Sequence, residues 1–166
     1  IEQDAFDSLR CDNVGKTYFN PMPFEFDGYI KNGEKYDRVK AKPMSFTSVI
    51  ENDNEGVTVN GDCIENSKIK VTFTPDGGIS SVIGKEDGFE YLRSEGNILT
   101  AYSDTVNAWE VPADYAVNPQ KRLAVKEVST NIVDGVAERK TVYTVNDSVI
   151  TQTAVIYPDS ARIDFV

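Results

Sequence analysis

Residues 96–115 read GNILTAYSDTVNAWEVPADY and hold the chain's only tryptophan, two tyrosines and three acidic side chains. In sugar sites, aromatic rings stack on the apolar face of a pyranose while carboxylates and amides reach its hydroxyls. Trp109, with Tyr102 and Tyr115, is a candidate platform, and Asn97, Asp104, Asn107 and Glu110 are candidate polar partners. The plainer reading is that Trp109 fills a β-sheet core and the polar groups cap irregular loops, and residue chemistry alone favours it.

Paired carboxylates recur at Glu51 and Asp53, Glu86 and Asp87, and Asp104 and Glu110. A glycosidase dyad needs two carboxyls roughly 5–9.5 Å apart across the scissile bond, a distance that sequence spacing cannot deliver. No residue is therefore assigned a catalytic role, and each pair reads as a solvated face. Histidine is absent. That removes serine triads, cysteine–histidine nucleophiles, histidine-ligated zinc and histidine-bound haem. No metal ligand set and no cofactor are expected within this chain.

The net charge of −10 repels phosphate backbones, so nucleic acid is not an expected partner. No apolar run approaches the ~20 residues of a spanning helix, and no membrane contact is expected. Two cysteines, Cys11 and Cys63, are too few for a disulfide framework or a four-cysteine metal site, and their spacing leaves pairing open. A chain of 166 residues with 40% hydrophobic content can bury a core without disulfides. The start at Ile1 and the apolar ending ARIDFV read as cut ends, which suggests a fragment of a larger protein, truncated at its C-terminal side. A cytoplasmic location is expected.

The elements that must position these residues are strands. KIKVTFT (68–74) alternates Ile69, Val71 and Phe73 with polar residues, the period of a half-buried strand. PDGG (75–78) is a turn and ISSVIG (79–84) returns, so 68–84 forms a hairpin. GGISSVIG lacks the spacing of a dinucleotide or phosphate loop. RLAVKEVSTNIV (122–133), VAERKTVYTV (136–145), SVITQTAVIY (148–157) and ARIDFV (161–166) form a four-strand antiparallel meander joined at Asp134-Gly135, Asn146-Asp147 and Asp159-Ser160. The NDS at 146–148 is explained by the turn. Earlier, 16–32 is a strand broken at Asn20-Pro21, and further strands lie near 35–40, 42–52 and 57–66. Residues 1–15 are expected to be a loose arm and 16–166 a β-sandwich domain, with a sub-boundary in the acidic loop 51–56. Long antiparallel strands without helices bury one face against a second sheet, so the fold class is all-β, an antiparallel β-sandwich. A truncated sheet would expose strand edges and invite a homodimer.

Over 16–166 the chain resembles the β-sandwich region of glycoside hydrolase family 38, the α-mannosidases. ENSKIKVTFTPDGGISSVIGKEDGFEYL (65–92) is similar to the family's run of asparagine at a strand start, alternating strand, Asp-Gly turn and Ile-Ser-Ser strand. GNILTAYSDTVNAWEV (96–111) is similar to its Gly-Asn-x-Leu and Asp-Ala-Trp-Asp segment. FNPMPFEFDGYI (19–30) and YPDSARIDFV (157–166) resemble its flanking segments. Asn107 and Glu110 depart from the aspartates common there.

The resemblance implies a supersandwich of galactose-mutarotase type, non-catalytic in itself. It further implies a parent that hydrolyses α-mannosides with an Asp nucleophile and a zinc ion held by two His and two Asp on a separate catalytic domain. That domain and a mannose-containing oligosaccharide are the implied partners. Residues 96–115 become mainly sheet interior and domain interface, with 104–110 bordering the sugar. The alternative is a free-standing carbohydrate-binding or adhesion module built on 102–115.

Overall fold

The computed structural model describes residues 15–52, 56–103, 109, 110, 113, 115–117 and 120–166. The expected arm, save Gly15, lies outside the described residues, as do Cys11, Asp104 and Asn107. Two compact units comprise residues 1–53 and 54–166, divided within the stretch 51–56. Described strands are all antiparallel, and the one described helix is a single 3-10 turn at Tyr115–Val117.

In the first unit, β1 (Thr17–Asn20) pairs with β4 (Ser45–Ser48), and β2 (Phe26–Asn32) with β3 (Lys35–Ala41). The break after Asn20 has a side-chain cause. Pro21 has no N–H for a ladder, and the buried Asn20 amide instead donates to the carbonyls of Phe24 (2.8 Å), Ala41 (3.2 Å) and Lys42 (3.0 Å). Its oxygen accepts from the Met22 N–H at 3.1 Å. One side chain thus satisfies backbone groups that the ladder abandons.

On β3, Asp37 Oδ2 accepts from Asn32 Nδ2 (2.9 Å), Tyr18 OH (2.6 Å) and Lys16 Nζ (3.0 Å). Asn32 first, then Tyr18 and Lys16, hold this carboxyl down to about 2 from its ordinary 3.8. A depressed carboxylate stabilises the fold above its unfolded value, and that contribution disappears as pH falls from near 4 towards 2. We expect the stability gap between the wild type and Asp37→Asn, measured by urea denaturation at successive pH values, to be full at neutral pH and to close in that acid window. A gap independent of pH would contradict the assignment.

In the second unit, β5 (Thr58–Asn60), β6 (Cys63–Glu65), β7 (Ile69–Phe73) and β8 (Ile79–Gly84) form one sheet, and β11 (Ala124–Val133), β12 (Val136–Val145), β13 (Ser148–Ile156) and β14 (Ile163–Phe165) form a second. The alternation read in 68–74 holds: Ile69, Val71 and Phe73 are buried and Lys70 is exposed. They pack with Ile64 and Ile79 of their own sheet against Ala137, Ala154 and Ile156 of the other. This shared core makes the unit a β-sandwich. Buried Arg139 of β12 crosses it, with its guanidinium 4.7 Å from the Phe73 ring centroid and 2.6 Å from Asp62. The β11–β12 turn has φ of 49° at Asp134 and 82° at Gly135 between paired Val133 and Val136, a primed hairpin turn as the Asp-Gly dipeptide foretells.

Two strand expectations need correction. The run 57–66 is a hairpin and not one strand: β5 and β6 pair antiparallel about Gly61-Asp62, where Gly61 takes a φ of 59°. Residues 122–133 are not continuous: Arg122 belongs to β10 (Gln120–Arg122), which pairs with β9 (Thr100–Tyr102) in a separate two-stranded ribbon. Between the ribbon and β11, Leu123 is buried, and its N–H donates to the Leu99 carbonyl at 3.1 Å. The apolar pattern runs unbroken through 122–125, but the backbone partner changes, and alternation carries no information about partners.

Candidate functional site

The ribbon β9–β10 carries the sequence that held the candidate sugar-facing residues, and a chain of local anchors positions it. Gly96 exchanges two 2.9 Å backbone hydrogen bonds with Ile79 at the start of β8. A Cβ at the neighbouring Gly78 would sit 2.7 Å from Glu95 Oε1 and 3.1 Å from the Gly96 carbonyl, so glycine allows this close approach without displacing either. Asn97 takes a positive φ of 53°, a conformation asparagine tolerates better than most residues. Its amide donates to Gln152 Oε1 of β13 at 2.8 Å. At the same end of the ribbon, opposite Thr100, the Arg122 guanidinium forks between Asp76, in the PDGG turn, and Glu95 at 2.8 Å.

The Thr74 hydroxyl, donating at 2.5 Å, contributes most to holding the Asp76 carboxyl below its usual range. Glu95 is the main cause of the raised Arg122 value. These charges line a cavity of about 420 Å³ together with Thr74, Ser80 and Glu90. Asp76, Glu95 and Arg122 are far apart in sequence, and no motif spacing links them. The PDGG run marked only a turn.

Of the seven sequence candidates, Asn97, Tyr102, Trp109, Glu110 and Tyr115 are described. Tyr102 meets Tyr115 edge to face at 5.3 Å with the rings inclined by 69°. Tyr102 is 43% exposed and Glu110 is exposed. Trp109 is 93% exposed, which overturns the expectation that it fills the sandwich core. The core is instead closed by aliphatic residues and Phe73. Asn97 serves the fold, since its amide ties the ribbon to the meander. In β9 and β10, Thr100 stands opposite Arg122, and Thr100 and Tyr102 are two residues apart on one strand, so Thr100, Tyr102 and Arg122 share one ribbon face. Arg122 and the tyrosine pair therefore lie along the same side.

Among the described residues no group of three or more Asp, Glu or Cys side chains is placed to hold a metal ion. Cys63 is a free thiol.

Fold and site together define an antiparallel β-sandwich domain that presents exposed aromatic side chains on an anchored ribbon. Residues 64–166, more than half of the chain, match the model of the glycosyl hydrolases family 38 C-terminal domain, and the chain belongs to that family. The match takes in both sheets of the sandwich from β6 onward and the whole ribbon, and leaves out the segment 19–30 of the first unit. No curated protein matches the chain.

Proposed function

We propose that the chain is the β-sandwich portion of an α-mannosidase-like glycoside hydrolase acting on terminal α-mannosides of oligosaccharides. In this reading it is non-catalytic, packs against a zinc-dependent catalytic domain carried elsewhere on a longer polypeptide, and helps to wall that domain's cleft. The family match over 64–166 carries the reading. The zinc set implied by the resemblance needs two histidines, and this chain has none, so its own residues do not fit that metal. The exposed Trp109 and the Tyr102–Tyr115 pair supply a surface suited to a sugar or to a domain interface.

The test is hydrolysis of an aryl α-mannoside. The 166-residue chain is expected to release no aglycone, whereas a polypeptide that also carries the proposed catalytic domain releases it and stops on chelation. Release of mannose by the chain alone would overturn the proposal.

The exposure of Trp109 favours a second reading, a carbohydrate-binding module that works without hydrolysis. As the chain's only tryptophan, it reports on its own surroundings. A binding module predicts a saturable fluorescence change on titration with mannose oligosaccharides, and a scaffold predicts none. Trp109→Ala removes the fluorophore, so its binding is followed by calorimetry: the variant is expected to lose most of the affinity for the oligosaccharide and to alter stability by less than about 0.5 kcal/mol, because an exposed ring contributes little packing.

A further inference from the structure

A second aromatic surface on the sandwich involves none of the ribbon residues. Beyond β8 the chain turns through 85–88 and comes back alongside it. Gly84 N–H donates to the Phe89 carbonyl and Tyr91 N–H to the Val82 carbonyl, both at 2.9 Å, and Ile83 stands opposite Glu90. Residues 89–91 thus run as extended chain, in which neighbours alternate in face. Glu90 ties the segment to β8, its carboxylate accepting from the N–H groups of Val82 in β8 (2.8 Å) and of Leu92 (2.9 Å). Phe89 and Tyr91 project to the opposite face.

Tyr91 lies across Gly84. Its Cε2 and hydroxyl oxygen are each 3.0 Å from the position a Cβ would take there, so the ring rests where any other residue would push it away. Phe89 meets it edge to face at 5.3 Å and 73°. Despite this support the rings stay 57% and 59% exposed.

The Tyr91 ring edges a cavity of about 530 Å³ also lined by Lys68, Gly84, Lys85, Glu86 and Asp87. Lys85 is engaged with Glu65 at 2.6 Å, and Asp87 Oδ1 accepts from the Phe89 N–H at 3.0 Å. Lys68 and Glu86 make no ion pair among the described residues. Two cations and two carboxylates round one aromatic ring leave the cavity without net charge, which does not select an anion. A wholly apolar guest would strip water from Lys68 and Glu86 with nothing in return. A pyranose meets both demands, offering C–H groups to the ring and hydroxyls to ammonium and carboxylate groups. The volume is within the range of small-ligand sites, roughly 300–1,000 Å³.

We propose that the Tyr91 groove binds one pyranose unit of a neutral oligosaccharide, with Tyr91 as the stacking ring and Lys68, Glu86 and Asp87 as hydroxyl partners. The choice of a mannose oligosaccharide as probe rests on the function proposed above; the site itself does not. The test is titration of the 166-residue chain with mannotriose, and in parallel with cellotriose, followed by amide chemical shifts. The result expected is saturable movement of the amides of residues 84–91 with at least one sugar, at millimolar affinity.

Tyr91→Ala is expected to weaken that binding by about tenfold or more, and Tyr91→Phe, which keeps the stacking face, to weaken it far less. The ring is more than half exposed, so neither change should unfold the chain, and the shift dispersion checks this directly. Still amides at 84–91 with both sugars, or equal affinity in Tyr91→Ala, would overturn the site. Trp109 fluorescence in the same samples reads the ribbon surface separately. A fluorescence response without movement at 84–91 would therefore sink this proposal and leave the ribbon reading standing.

Discussion

Asn66→Ala is expected to destabilise the second unit by about 4 kcal/mol and to lower its melting temperature by about 17 °C. Asn66 is buried at the strand start. Its amide nitrogen donates to the carbonyls of Tyr157 (2.5 Å) and Ser160 (2.7 Å), and its oxygen accepts from the N–H groups of Lys68 and Ile69, both at 2.7 Å. One side chain therefore joins the entry to β7 with the loop between β13 and β14, clasping one sheet of the sandwich to the other. Alanine leaves four backbone groups to find partners, each costing about 1 kcal/mol or more where water cannot reach. Urea denaturation followed by far-ultraviolet circular dichroism measures the loss, and a change below about 1 kcal/mol would show that water takes over the role of the amide.

Gly77→Ala is expected to cost about as much, by a different mechanism. Gly77 has a φ of 83°, where an L side chain is strained. An added Cβ would also collide with the hydroxyl end of Tyr143, closest to its oxygen and 2.7 Å from two ring carbons. Tyr143 is buried in β12 and donates its hydroxyl hydrogen to the Gly77 carbonyl at 3.1 Å, so it cannot retreat without breaking that bond. Backbone strain of about 1–2 kcal/mol and overpacking of about 1–3 kcal/mol combine. The two parts separate in a double-mutant cycle. In a Tyr143→Leu background only the strain should remain, a coupling of about 2 kcal/mol. Additive costs would show that the ring is not what excludes the side chain.

These two positions mark what could be read in advance. The PDGG turn was legible because glycine tolerates positive φ, and the meander because Asp-Gly and Asn-Asp separate runs of Val, Ile and Thr. That Gly77 must also make room for Tyr143, 66 residues along the chain, was not legible, since a turn dipeptide announces its own geometry and nothing about its neighbours. Asn66 and Asn97 show the same limit. The family resemblance drew on the stretches that contain them, and the structure explains both as backbone anchors, one to the 157–160 loop and one to Gln152. Trp109 misled in the opposite direction. A lone tryptophan in an apolar run reads as core, yet the core was already filled by Ile64, Ile69, Val71 and Ile156, and the indole stands in solvent.

By itself the sequence determined the all-β class, the antiparallel hairpins, the inward faces of the strands and the lack of any imidazole chemistry. These depend on residue type and on a period of two, which are local properties. Only the tertiary structure decided that Arg122 leaves the meander to clamp Asp76 and Glu95, that the aromatic groups at 102–115 and at 89–91 face outward, and that Gly84 bears a tyrosine ring. Each of these depends on which distant segment arrives alongside. That choice comes from burying the two sheets against each other as a whole, and no single stretch of residues carries it.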